Sequence, residues 1–192
     1  MNKAVFLDRD GTINEEMGYI NHVSRFKIFK FVPEAIKILN NAGYLVIVVT
    51  NQSGLARGYF DENLINMLHA SLLKKVQKES AKIDAIYFCP HHPTEGIQKY
   101  RINCDCRKPK PGMIKQAQKE FDISLNKSIM IGDRYKDVEF GKQLGLKTIM
   151  VLTGYGLGEY TFQRHLWNEQ PDLVCNNLLE AAQIIKSDLP EF

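Results

Sequence analysis

Ala4-Val5-Phe6-Leu7-Asp8-Arg9-Asp10-Gly11-Thr12 is the stretch whose reading decides the fold. An apolar run of the kind that forms a buried strand delivers two carboxylates, one residue apart, onto a glycine-bearing turn. If the strand continued, Asp8 and Asp10 would point to the same side. Asp10-Gly11 alone reads as well as a simple tight turn. Two carboxylates at one strand end shift that balance, because their repulsion calls for a cation or a shared proton.

Further short β-branched runs lie outward from this one: Tyr44 to Thr50, Ala85 to Cys89, Ser128 to Ile131, Thr148 to Leu152 and Leu173 to Cys175. Helical patterns alternate with them. Pro33 opens one that Gly43 closes, Asp61 caps one running to about Ser80, and Pro111 suits the first turn of another. Two more run from Lys136 to Leu144 and from Leu178 to Lys186. The expected fold is therefore α/β, a Rossmann-like three-layer sandwich around a mainly parallel sheet. Residues 1–192 are expected to form a single domain, since no insertion between Thr12 and Thr50, or between Gly54 and Lys108, has the length of a large cap domain. Arg9 to His22 and His91 to Pro111 lack a strong period and follow strand ends, where open parallel sheets bind ligands. Gly154 to Trp167 receives no assignment.

Composition excludes several classes. The chain has 192 residues, 44% hydrophobic and 24% charged, as in globular proteins. No apolar stretch approaches the roughly 20 residues needed to span a bilayer, and the N-terminus lacks a secretory signal pattern, so no membrane role and a cytoplasmic location are expected. The net charge of +3 comes without a basic stripe for nucleic acid.

Three more strand ends carry polar chemistry. Thr50-Asn51-Gln52-Ser53-Gly54 offers a hydroxyl, amides and backbone donors to phosphate oxygens, or is an ordinary polar loop. Cys106-Arg107-Lys108-Pro109-Lys110-Pro111-Gly112 holds Lys108 between backbone-restricting prolines; it could neutralise a carboxylate and a phosphate together, or be a solvated basic turn. Gly132-Asp133-Arg134-Tyr135-Lys136-Asp137 follows an apolar strand, and Asp133 either completes a magnesium site begun by Asp8 or caps the next helix. Coincidence of all four is a poor explanation.

Cys89, Cys104 and Cys106 cluster between the third strand and Lys108. In a reducing compartment that suggests metal rather than disulfide. With one imidazole, His91 or His92, three sulfurs make a closed tetrahedral zinc set, structural rather than catalytic. Cys175 reads as a core residue.

The order of these motifs, from Ala4 to about Leu152, resembles the haloacid dehalogenase-like phosphohydrolases. The resemblance implies Asp8 as nucleophile, Asp10 as general acid and base, Thr50 and Lys108 as phosphate-stabilising residues, and Mg2+ held by Asp8, the backbone carbonyl of Asp10 and Asp133. Asp137 would support the site from behind. It also favours His91 as the fourth zinc ligand, in a loop of about 89–106.

Asp8 to Asn14, Gly18-Tyr19, Thr50 to Gly54, Cys89-Pro90-His91-His92-Pro93 and Cys104 to Pro109 further resemble the heptose-bisphosphate and histidinol-phosphate phosphatases of that superfamily. That implies substrate contacts at Glu16, Met17, Gly18, Tyr19, Thr50, Asn51, Gln52, Ser53, Arg107, Lys108 and Arg134. Arg134 stands where many heptose phosphatases have lysine, keeping charge but changing donor geometry. The expected activity is removal of the 7-phosphate of a small phosphorylated sugar, D-glycero-D-manno-heptose 1,7-bisphosphate, through a phospho-aspartate, by a monomer. Histidinol phosphate is the alternative substrate. A nucleic-acid end phosphatase and a non-catalytic zinc-binding module explain fewer of the motifs.

Overall fold

The β-branched runs of the sequence pair side by side into one sheet. In the computed structural model, which describes residues 1–187, the strands are β1 Lys3–Leu7, β2 Tyr44–Asn51, β3 Ala85–Cys89, β4 Ile129–Gly132, β5 Lys147–Val151 and β6 Leu173–Cys175. Residues 188–192 of the expected domain lie outside the described residues. All strand pairs are parallel, in the order β3-β2-β1-β4-β5-β6. The expected mainly parallel sheet is thus wholly parallel.

Alternation along the strands divides the core between the two faces. Val5, Leu7, Val46, Val48, Ile129 and Ile131 pack with α1 (Val32–Asn41), α2 (Glu62–Lys78) and α6 (Leu178–Lys186). Ala4, Phe6, Ile47, Val49 and Met130 pack with α3 (Gly112–Phe121) and α4 (Tyr135–Gln143). This is the three-layer sandwich. Phe6 is wholly buried, and its truncation to alanine would cost about 3–5 kcal/mol.

Helix punctuation follows the sequence with small shifts. Asp61 caps α2, its Oδ1 accepting from the Leu64 amide at 2.9 Å. Pro111 is the residue before α3 rather than its first turn, and α4 begins at Tyr135. The N-cap of α4 is Arg134, with no side-chain cap. Asp133 is therefore not spent on capping. Part of the unassigned stretch forms α5, Gly156–Gln163, in which only Gly156 is buried; with so little of it packed, no apolar period announces it.

Chain order reverses at β1, which pairs with β2 on one side and β4 on the other. Leu7 lies level with Val48 and Ile131. That register brings Asp8, Thr50 and Asp133 to three adjacent strand ends at the switch point. Between β1 and β2 the structure adds only a 3-10 turn, Val23–Arg25, and α1; between β2 and β3 it adds only α2. Neither connection contains a cap domain, and among the described residues no helix is long and apolar enough to cross a membrane.

Candidate active site

The strand ends open into a cleft of about 340 Å³ lined by Asp8, Asp10, Thr50, Arg107, Lys108 and Arg134, among others. Asp8 follows β1, its amide donating to the Ile131 carbonyl at 2.9 Å. Lys108 Nζ reaches Asp8 Oδ1 at 2.7 Å and Asp137 Oδ1 at 2.6 Å, with all three side chains largely buried. An ammonium shared by two carboxylates is held more firmly in its charged form, and the Lys108 pKa is raised despite burial.

Asp133 completes the acidic floor. It is wholly buried; Oδ2 accepts from the Tyr155 amide at 2.8 Å, while Oδ1 has no partner among the described residues. Burial, reinforced by the charges of Asp8 and Asp137, pushes its pKa up to about 9. Burial likewise pushes Asp8 up to about 7, with Asp137 and Asp10 adding to the effect and Lys108 opposing it. Oxygens of Asp8, Asp133 and Asp137 lie within 4.8 Å of one another. A compact group of buried carboxylates suits a small hard dication: Asp8 and Asp137 each give one oxygen to Lys108, and Asp133 keeps an orphaned one.

Access to Asp133 depends on two glycines. A Cβ on Gly11 would meet Asp133 Oδ2 at 2.1 Å, and one on Gly154 would meet it at 2.2 Å. Gly11 also has φ +81°, so Asp10-Gly11 is both a turn and part of the site.

Asp10 is clamped as a carboxylate. Arg9 Nη2 donates to its Oδ1 at 3.0 Å and Oδ2 at 2.9 Å, Asn14 Nδ2 to Oδ1 at 2.9 Å, and Gln52 Nε2 to Oδ2 at 2.7 Å. Burial opposes its ionisation, but the charge of Arg9 and these hydrogen bonds prevail and lower its pKa. Gln52 also donates to Thr50 Oγ1 at 3.0 Å, leaving the buried threonine hydroxyl its own proton to donate.

Asn51 grips Lys108 through the backbone. Its Oδ1 accepts from the Lys108 amide at 3.0 Å, and its Nδ2 donates to the Lys108 carbonyl at 3.2 Å. Glu16, Gly18, Tyr19, Gln52 and Ser53 line the cleft. Met17 is the exception: it is absent from the wall, and its carbonyl instead accepts from Arg25 Nη2 at 3.1 Å. Arg134 is steered by the formerly unassigned stretch, through Glu159 Oε1 at 3.0 Å and the Tyr155 ring at 4.6 Å.

The cysteine loop closes on itself beside Lys108. Cys89 and Cys104 sulfurs are 3.4 Å apart, Cys104 and Cys106 3.1 Å, and His91 Nδ1 lies 3.3 Å from Cys106 and 3.8 Å from Cys89. Zinc–sulfur bonds of about 2.3 Å in a tetrahedron imply edges of roughly 3.8 Å, so this set fits zinc with slight expansion. The histidine in the group is His91; His92 Nδ1 instead accepts from the amides of Thr94 and Glu95, and its Nε2 lies 3.3 Å from Arg57 Nη2. Arg107 Nη1 donates to the His91 carbonyl at 3.1 Å, joining the loop to the cleft.

Several site residues carried no sequence signal. Arg9 and Asn14 hold Asp10, while Phe60, Lys136 and Tyr155 line the cleft. Lys136 stands three residues after Asp133, and the first turn of α4 brings it to the cleft.

An acidic cleft at the carboxyl ends of a parallel sheet, with a lysine bridging two of its aspartates, defines a hydrolase of the haloacid dehalogenase class. Residues 105–181 match the HAD-hydrolase-like family model. The chain is 46% identical over 187 residues to the D-glycero-beta-D-manno-heptose-1,7-bisphosphate 7-phosphatase of Pasteurella multocida, covering 97% of this chain and 98% of that one. It is 40% identical over 151 residues to the alpha-specific counterpart from Burkholderia mallei, covering 79% and 80%. The D,D-heptose 1,7-bisphosphate phosphatase of B. bronchiseptica, solved with magnesium and phosphate, superposes with a TM-score of 0.85 at 29% identity, covering 96% and 98%. The chain belongs to the D-glycero-D-manno-heptose-1,7-bisphosphate 7-phosphatase family.

Proposed function

We propose that this protein is a magnesium-dependent phosphatase that removes the 7-phosphate of D-glycero-D-manno-heptose 1,7-bisphosphate. The observation that carries the chemistry is Lys108 bridging Asp8 and Asp137, and near-full-length similarity to heptose phosphatases carries the substrate.

In the first displacement the Asp8 carboxylate attacks phosphorus, and the bond to the sugar oxygen breaks as Asp10, a carboxylate in the free site that takes up a proton when the anionic substrate enters, protonates that oxygen. In the second, water attacks the phospho-aspartate while Asp10 accepts its proton and Asp8 leaves as a carboxylate. Thr50 Oγ1 and Lys108 Nζ hold phosphoryl oxygens through both steps. Asp8, the Asp10 carbonyl and Asp133 would hold Mg2+, which supplies charge neutralisation at the phosphoryl group. Cys89, His91, Cys104 and Cys106 would hold a structural Zn2+ that fixes the direction of Arg107 and Lys108.

Glu16, Gly18, Tyr19 and Ser53 form the wall for the sugar, and Arg107 and Arg134 are the forked donors suited to the uncleaved phosphate. The chain works as one domain and a monomer in the cytoplasm. Metal-replete protein should release phosphate from the heptose bisphosphate far faster than from histidinol phosphate or phosphorylated oligonucleotides. A preference for either competitor overturns the substrate assignment.

A further inference from the structure

His69 is a buried titratable side chain with no part in that chemistry. It lies on α2, is 8% exposed, and packs edge-on against Phe88 of β3 with ring centroids 5.6 Å apart. Its Nε2 is 3.3 Å from Arg9 Nη1. Arg9 is 1% exposed; its guanidinium lies 5.5 Å from the centre of the Phe26 ring and donates to Asp10 through Nε and Nη2.

Arginine has no acceptor, so the contact requires an unprotonated Nε2 and places the imidazole proton on Nδ1. Burial first, then the charge of Arg9, pushes the His69 pKa down to about 4. The ring is therefore neutral, and its acceptor available, at neutral pH. Without it, Nη1 would be left without this partner in a buried setting, a costly arrangement that the guanidinium can escape only by turning away from Asp10.

We propose that His69 is a positioning residue for Asp10, acting through Arg9. The inference rests on the reading of Asp10 as general acid, but not on which sugar is the substrate. As the Asp8 oxygen bonds to phosphorus, the bond from phosphorus to the leaving oxygen breaks, its electron pair goes to that oxygen, and the proton comes from Asp10. An alkyl oxygen leaves poorly without that proton, whereas nitrophenolate leaves readily without one. Misplacing Asp10 should thus penalise alkyl esters selectively, while general damage to the fold or the phosphate clamp should penalise both.

The experiment compares kcat/KM, which covers the steps through phospho-aspartate formation, for an alkyl phosphate and for p-nitrophenyl phosphate. The alkyl substrate is the heptose bisphosphate, or any sugar phosphate that the wild-type protein turns over. Failure on the heptose alone therefore leaves this test intact. His69→Leu is expected to lower the alkyl kcat/KM by about 10-fold or more, a fraction of what general acid catalysis supplies, while the aryl value stays within about 3-fold. His69→Gln, whose amide oxygen can accept from Arg9, should recover most of the loss. Equal losses on both substrates, no loss on either, or no rescue by glutamine would overturn the proposal. Should His69→Leu fail to fold, Arg9→Lys decides: it keeps the charge but loses the fork on Asp10, and equal losses on the two esters would again be fatal.

Discussion

Asp8, Asp133 and Asp137 present three carboxylates to one another, and one ammonium, that of Lys108, serves two of them. In the metal-free protein Asp8 and Asp133 hold protons that an unfolded aspartate, with a pKa of 3.8, has already lost. A group whose folded pKa is raised adds stability in full below its unfolded pKa and loses it as pH rises through the folded one. The window here runs from about 4 through about 7 for Asp8 and about 9 for Asp133. Thermal melting of metal-free protein should accordingly be higher at pH 5 than at pH 8.5, by at least a few degrees. Saturating Mg2+ should flatten that slope; a slope unaffected by Mg2+ would remove the carboxylate cluster as its binding site. Asp8→Asn should lower turnover by a factor on the order of 10³ or more, since an amide cannot form the acyl phosphate. Full turnover in that variant would overturn Asp8 as the nucleophile.

The cysteine loop acts on the site through Lys108. Asn51 holds the Lys108 peptide from β2, Arg107 reaches back to the His91 carbonyl, and the Gly112 amide at the start of α3 donates to the Asp105 carbonyl at 2.9 Å. Lys108 is therefore anchored by β2 on one side and by the loop on the other. Chelating zinc, or replacing Cys104 by serine, should reduce turnover by about 10-fold or more while circular dichroism reports an intact sheet. Metal analysis should find one zinc per chain before treatment. Loss of activity only in step with global unfolding would mean that the loop supports the fold rather than the lysine. The segment around α5 plays a comparable part for Arg134, through Glu159 and Tyr155.

At the scale of the molecule, the strands and the residues that meet at their carboxyl ends were legible because both are written locally. Apolar runs mark the strands, and Asp8, Thr50, Lys108 and Asp133 each close or follow one. The cluster of Cys89, His91, Cys104 and Cys106 was legible for the same reason, its four members falling within one short segment. Contacts made at a distance were not. Nothing in the sequence near Asp10 announces His69, 59 residues further on in the numbering of the chain, and nothing near Asn51 shows that its amide is engaged by the Lys108 backbone. Met17 was misplaced because neighbours in a loop need not face the same way, and α5 was missed because it buries only Gly156.

Asp133 lies where three loops meet: the turn after β1 brings Gly11, its own loop follows β4, and the segment after β5 brings Gly154 and the Tyr155 amide. None of the three can open without loosening the packing of the others around that carboxylate. Close contact of this kind would couple their fluctuations, and a cation at the carboxylate would restrain all three at once. In hydrogen exchange, adding Mg2+ should slow the amides of Gly11 and Tyr155 together, although they lie on loops from opposite ends of the sequence.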